Sequence, residues 1–269
     1  MAAVCFTSPV DVDRVEPAPG RRVPHGLGLV LSSGAARGAA HIGVMQVLED
    51  AGIPVPVVVG TSSGALLGGA WAAGISADEI ADRISRATWA DFGSMWPNAR
   101  LGLVNPAALR ATLDEIFAGR SIEDLPRRFA AVATDARTRV PVLLDSGSAT
   151  EAVCATIAVP GIYPPVRIGD RTLVDGVFTS PVPVWAARHL GASPVLAVTL
   201  RPANTSGPSP VRSRVVPLYP NRSPAELEIL IDTSGYSSWS TRDVPALIEL
   251  GRHAAENALD SIRDLLAPT

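Results

Sequence analysis

Apolar residues along this chain come in short blocks whose period changes in a regular order. Gly26 to Leu31 is a brief, nearly unbroken apolar run that fits a buried strand. Ser32 to Gly38 is a loop of small residues. Beyond it Ile42, Met45, Val47 and Leu48 recur at helical spacing between His41 and Gly52, where the pattern stops. Val55 to Val59 is a second buried run, rich in β-branched residues. A tight turn from Gly60 to Gly64 follows, then a small-residue helix through Ala73. Strand, loop, helix, strand, turn, helix is the alternation of a parallel sheet whose faces are covered by helices.

The rest of the chain is less regular. Residues 77–128 read as helices and loops and carry Trp89, Phe92, Met95 and Trp96 beside Pro97. Phe129 to Thr134 and Val140 to Leu144 read as two strands around a turn at residues 135–138. Ala149 to Ala158 is a short helix ended by Pro160-Gly161, and Leu173-Val174 ends a strand at Asp175-Gly176. Pro194 to Leu200 is a further strand, Pro202 to Arg214 a Pro/Ser/Gly/Asn loop, and Val244 to Leu266 a closing amphipathic helix. The expected architecture is a three-layer α/β/α domain with a mostly parallel central sheet. It occupies residues 23–269 behind a loose tail of residues 1–22.

Composition narrows the function classes. A chain of 269 residues with 47% hydrophobic content supports one large folded core, not a disordered segment. The net charge of −3 argues against a nucleic-acid partner. Cys5 and Cys154 are too far apart to suggest a metal pattern or a disulfide framework. The N-terminus lacks the apolar core of a signal peptide, and no apolar stretch is long enough to span a bilayer. The expectation is a cytoplasmic enzyme.

Three segments carry candidate chemistry. Gly60-Thr61-Ser62-Ser63-Gly64 has the form G-x-S-x-G between a strand and a helix, the setting of a nucleophile on a sharp turn. Read alone, it is equally a Ser-capped turn opening a helix. Ser63 also offers a hydroxyl, but only Ser62 is centred between the glycines. Ser33-Gly34-Ala35-Ala36-Arg37-Gly38 opens the preceding helix, and its backbone N–H groups suit an oxyanion. A dinucleotide loop is a weaker reading, because only two glycines remain, and simple strand–helix packing is the plainest one. Asp175-Gly176 is either a fixed carboxylate at a strand end or an ordinary turn. His25, His41, His189 and His253 are the only histidines; His189 or His253 could complete a Ser–Asp–His order, although both follow helical patterns. The aromatic group at residues 89–96 is either core packing or the entrance for an acyl chain.

Taken together, Leu29 to Val44, Val59 to Leu66, Ala133-Thr-Asp135, Val159 to Val166 and Leu173 to Val184 resemble the patatin-like phospholipase family over roughly residues 26–200. The resemblance implies a patatin-like fold and a Ser–Asp dyad, with Ser62 as nucleophile and Asp175 as base. It implies an oxyanion hole from Gly34 and Ala35, bordered by Arg37, and a nucleophile elbow framed by Gly60 and Gly64. It implies lipid acyl esters as substrates and no metal or organic cofactor; transient membrane-surface contact belongs to the reading of the aromatic group at residues 89–96 as an acyl-chain entrance. Acyl transfer to an alcohol, thioester hydrolysis, or lipid binding without catalysis are the alternative activities. Three positions depart from the family pattern. Glycine is usual at Ser33 and Ala35, and Gly or Ala at Val177. If the loop requires positive φ at Ala35, an L-residue there costs on the order of 1 kcal/mol.

Overall fold

In the computed structural model, residues 24–95, 104–201 and 224–267 are described. The expected tail at residues 1–22 and the loop at residues 202–214 lie outside them. In chain order the elements are β1 (Gly28–Leu31), α1 (Ala40–Asp50), β2 (Val57–Thr61), α2 (Ser63–Ala72), α3 (Ala77–Arg86) and α4 (Trp89–Phe92). A small hairpin, β3 (Ser94–Met95) with β4 (Val104–Asn105), leads to α5 (Ala107–Phe117), β5 (Arg128–Asp135), β6 (Pro141–Leu144) and α6 (Ala149–Thr156). The chain continues through β7 (Val166–Ile168), β8 (Arg171–Asp175), α7 (Val184–His189), β9 (Val195–Arg201), β10 (Leu227–Asp232) and α8 (Val244–Leu266).

The main sheet has the order β10-β9-β1-β2-β5-β8-β7, with β6 also paired to β5. From β10 to β5 every pair is parallel; the pairs made by β5 with β6 and β8, and by β7 with β8, are antiparallel. Strand alternation explains why the inner strands read as unbroken apolar runs. Leu29 and Leu31 of β1 and Val58 of β2 enter the larger core, with Trp71, Phe117 and Leu247 from the helices. Val30, Val57 and Val59 enter the second core, against Val184 and Trp185 of α7. Helices therefore cover both faces, which is the three-layer α/β/α arrangement.

Several details differ from the expectation. β2 runs to Thr61, so Gly60 is a strand residue and the turn is tighter than a five-residue loop. The stretch read as helices and loops also contains the β3–β4 hairpin. β7 and β10 were not anticipated. β7 is only three residues long. β10 alternates buried Ile229 and Ile231 with exposed neighbours, a strand pattern of period two.

Candidate active site

The centre of the site is the end of β2. Ser62 follows it with φ 54 and ψ −124, outside the usual basins of an L-residue. The turn is possible because two neighbours lack side chains. A Cβ on Gly60 would stand 2.4 Å from the Ala65 nitrogen, and one on Gly64 would stand 2.3 Å from the Leu31 carbonyl oxygen. α2 thus folds straight back over β2 and against β1. The Ser62 carbonyl accepts from the N–H groups of Ala65 (2.9 Å) and Leu66 (3.0 Å), which starts the helix.

Asp175 arrives from the other part of the sheet. β8 pairs antiparallel with β5, and Asp175 stands opposite Ala133. The Ser62 Oγ donates to Asp175 Oδ2 at 2.7 Å, and the Val177 N–H donates to Asp175 Oδ1 at 2.8 Å. Residues 113 apart in sequence are therefore in direct contact. Asp175 is 1% exposed and Ser62 8%. Burial pushes the Asp175 carboxyl up to about 7, against the opposing effect of the hydrogen bonds from Val177 and Ser62. A carboxylate with this affinity for a proton, bonded to a serine hydroxyl, can accept the hydroxyl proton near neutral pH. The larger side chain at Val177 leaves its contribution intact, since its backbone makes the bond.

Ser63 has a different environment. Its Oγ is buried and has no hydrogen-bond partner among the described residues. It lies against Gly38, where a Cβ would come within 2.5 Å of that oxygen. The first loop thus packs on the opening turn of α2. Within it the Ser33 N–H donates to the Pro181 carbonyl (2.9 Å) and the Ala36 N–H to the Ser238 carbonyl (3.1 Å). Among the described residues the N–H groups of Gly34 and Ala35 have no protein acceptor, which leaves them open to a ligand. Ala35 is exposed and has φ 51, the left-handed conformation at which its Cβ is a cost. Arg37 borders the loop. Its Nη1 donates to the Arg201 carbonyl at 3.3 Å, its buried Nε has no partner among the described residues, and burial lowers its pKa from the ordinary arginine value.

The histidines engage other groups. His41 is fully buried, its Nε2 lies 2.8 Å from the Ser32 carbonyl oxygen, and burial pulls its pKa down to about 4. It is therefore neutral, with Nε2 as the donor. His253 bonds to Asn257 on the surface of α8, and His189 ends α7. The Ser62 hydroxyl bonds to Asp175 and not to an imidazole. Cys154 is a buried free thiol whose pKa burial raises to about 11. Among the described residues no cluster of His, Cys, Asp or Glu is arranged to hold a metal ion.

The sequence reading missed a set of hydroxyls around the dyad. Thr156 Oγ1 accepts the Ser62 N–H at 3.0 Å and donates to the Val132 carbonyl. Thr61 Oγ1 donates to the Ser180 carbonyl at 2.8 Å, and Thr134 and Thr179 share a 2.8 Å bond. The only sequence signal was a threonine at the end of the helix before Pro160-Gly161. Beyond Leu66, a cavity of about 330 Å³ runs between α2, α3 and α5, lined by Leu66, Ala70, Ile80, Ile84, Phe92 and Leu113 among others. Phe92 is the member of the aromatic group seen there; Trp96 and the side chains of Trp89 and Met95 lie outside the described residues. Among the described residues no helix is long and apolar enough to cross a membrane.

Comparison with known proteins shows the family. The patatin-like phospholipase family profile matches residues 29–188. An uncharacterized NTE family protein of Mycobacterium tuberculosis is 33% identical over 220 residues, 78% of this chain and 59% of that protein. Lysophospholipase NTE1 of Debaryomyces hansenii is 31% identical over 179 residues, 64% of this chain and 12% of that protein. A patatin-like phospholipase domain-containing protein of Caenorhabditis elegans is 33% identical over 180 residues, 64% of this chain but 13% of its own length. The chain thus spans less than two thirds of the length of these relatives. Among solved structures, VipD from Legionella pneumophila superposes with a TM-score of 0.51 at 13% identity, covering 88% of this chain and 67% of that one, a likeness of fold alone. With the family profile covering more than half of its residues, this chain belongs to the patatin-like phospholipase family, a family of lipid ester hydrolases.

Proposed function

We propose that this chain is a serine acyl hydrolase that cleaves carboxylic esters of lipids through a Ser62–Asp175 dyad. The observation that carries the reading is the 2.7 Å bond from a strained serine hydroxyl to a carboxylate that burial has made basic. In the first half-reaction Asp175 takes the Ser62 Oγ proton as Oγ attacks the ester carbonyl carbon. The N–H groups of Gly34 and Ala35, bordered by Arg37, receive the negative charge on the carbonyl oxygen. Collapse breaks the bond to the leaving alcohol, which takes the proton held by Asp175. In the second half Asp175 accepts a proton from water, the hydroxide oxygen attacks the acyl-Ser62 carbonyl, and Ser62 Oγ leaves with that proton.

The family membership, the lysophospholipase name of one relative and the apolar cavity one helical turn beyond Ser62 favour an acyl lipid as substrate. Contact with a lipid surface is a consequence of that substrate and stays part of the proposal. The test is turnover of p-nitrophenyl esters of increasing chain length, with and without an acceptor alcohol. Release of free acid from medium or long chains is the expected result. Transfer to the alcohol in place of hydrolysis would make the chain an acyltransferase, and binding without turnover would make it a lipid carrier.

A further inference from the structure

Ser62 and Asp175 are 113 residues apart in sequence and lie at the ends of strands separated by β5, and one short segment touches the backbone of both. At the end of α6, Thr156 is fully buried and its hydroxyl is used in both senses: it accepts the Ser62 N–H at 3.0 Å and donates to the Val132 carbonyl on β5. Two residues on, the Ala158 carbonyl accepts the Asp175 N–H at 3.0 Å. The sheet itself does not make either bond. The β2–β5 ladder ends at the pair Thr61 and Val132, so the Ser62 N–H has passed beyond its last strand partner. With φ 54 the Ser62 peptide has also turned away from that ladder.

We propose that the segment from Thr156 to Ala158 is a clamp that sets the distance between Ser62 and Asp175, with Thr156 as its positioning residue. This rests on the dyad reading given above. Three features support it. A buried N–H at a strained turn needs an acceptor, and the Thr156 hydroxyl is the one it has. The same hydroxyl is tied to β5, the strand that carries Asp175 beside it through the Ala133 pairing, so a shift of either partner is resisted from both sides. The third feature is a consequence. With its N–H committed to Thr156, Ser62 is not an oxyanion donor, which leaves that task to the N–H groups of the first loop and of the opening turn of α2.

The test compares Thr156→Val, Thr156→Ala and Thr156→Ser with wild type in the full chain. The measured quantities are ester kcat and KM, the rate of Ser62 labelling by a fluorophosphonate, the pH profile and the melting temperature. A displacement of about 1 Å at a reacting group costs on the order of 10²-fold in rate, and Thr156→Val is expected to lose about that in kcat and in labelling rate. KM should hold, because Thr156 is buried behind the turn. The midpoint of the rate profile should move to higher pH, since a loosened Ser62 bond no longer favours the ionised Asp175. Thr156→Ser restores both hydrogen bonds and should stay within a few-fold of wild type. A folded Thr156→Val or Thr156→Ala with wild-type kcat and pH midpoint overturns the clamp. Unfolding of both, with a normal Thr156→Ser, also overturns it, in favour of a hydroxyl that supports the fold alone. An inactive wild type whose Ser62 resists the probe would instead defeat the dyad reading.

Discussion

The first two strand-to-helix turns of the sheet invite comparison. Both leave neighbouring parallel strands, β1 and β2, at the same end, and both hold a non-glycine residue at positive φ: Ala35 at 51 and Ser62 at 54. Their surroundings differ. Ser62 is 8% exposed, flanked by glycines that let α2 press on β1, and bonded through its N–H, carbonyl and hydroxyl. Ala35 is exposed, and among the described residues its N–H has no acceptor. Strain at the second turn is over-determined by packing and holds the Ser62 hydroxyl against Asp175. At the first, the strained methyl group is exposed and held by no such bonds, and the N–H beside it is left without an acceptor among the described residues. Positive φ alone therefore does not mark a functional side chain; the bonds that hold the residue there do.

The largest expected effect breaks the second turn chemically. Ser62→Ala and Asp175→Asn should each reduce ester turnover by at least about 10³-fold, because removing either member of such a unit disables it. Single replacements of His25, His189 and His253 by Ala should leave the chemical step within a few-fold of wild type. His41→Ala should act only by loosening Ser32 at the foot of the first turn. A folded histidine variant that loses about 10³-fold in acylation rate would replace the dyad with a triad.

A second effect concerns stability and has a defined sign. Asp175 binds its proton more tightly in the folded protein than its ordinary value of 3.8, with a folded value of about 7. Ionising it thus costs stability as pH rises between those values, and the cost is complete above about pH 7, on the order of 4 kcal/mol. Asp175→Asn lacks the cost. Its melting temperature should exceed wild type by several degrees at pH 8 and approach it at pH 4, and thermal melts at both values check this. An equal difference at both would mean that the carboxylate is not strained by burial. The variant predicted to be inactive is then also the more stable one, as expected where a site is built against the preferences of its own groups.

The pH dependence of turnover is a smaller, graded effect. If ionised Asp175 is the base, kcat/KM should fall about tenfold per pH unit well below pH 7 and level off above it. A midpoint near pH 4 would place the working carboxylate in water, in conflict with its burial. The smallest effect sharpens the first turn. Ala35→Gly removes a strained Cβ and should stabilise the chain by about 1 kcal/mol at most, with unchanged or slightly raised kcat. A large drop in kcat would show that the methyl group holds the loop in its working shape.

Much of this was legible from residue order. The alternation of short apolar runs and helical spacings, from Gly26 to Ala73, led to parallel strands with helices on both faces, because a strand buried on both sides has no polar face to show. The turns at Ser62 and Asp175 and the first loop were readable as positions because their geometry demands their neighbours: glycines where α2 meets β1, and small residues where the loop packs on the opening turn of α2. β7 and the β3–β4 hairpin were not readable, since three- and two-residue strands carry almost no periodicity. β10 has the right alternation, but its six residues follow a long irregular stretch that obscures where a strand should begin.

What the sequence determined by itself, then, is the set of turns: where the chain must reverse sharply, and which side chain each reversal presents. Tertiary structure alone decided the meetings. The serine of one strand end and the carboxylate of another touch only because β8 runs antiparallel beside β5, a pairing between residues about 40 apart that no local pattern encodes. The environment follows from the same meeting. Asp175 is an ordinary carboxyl as a residue type; only enclosure by the sheet and the end of α6 removes its water and pushes its pKa up to about 7. The role of Thr156 has the same origin, because a hydroxyl becomes a clamp only when an N–H with no strand partner is folded against it.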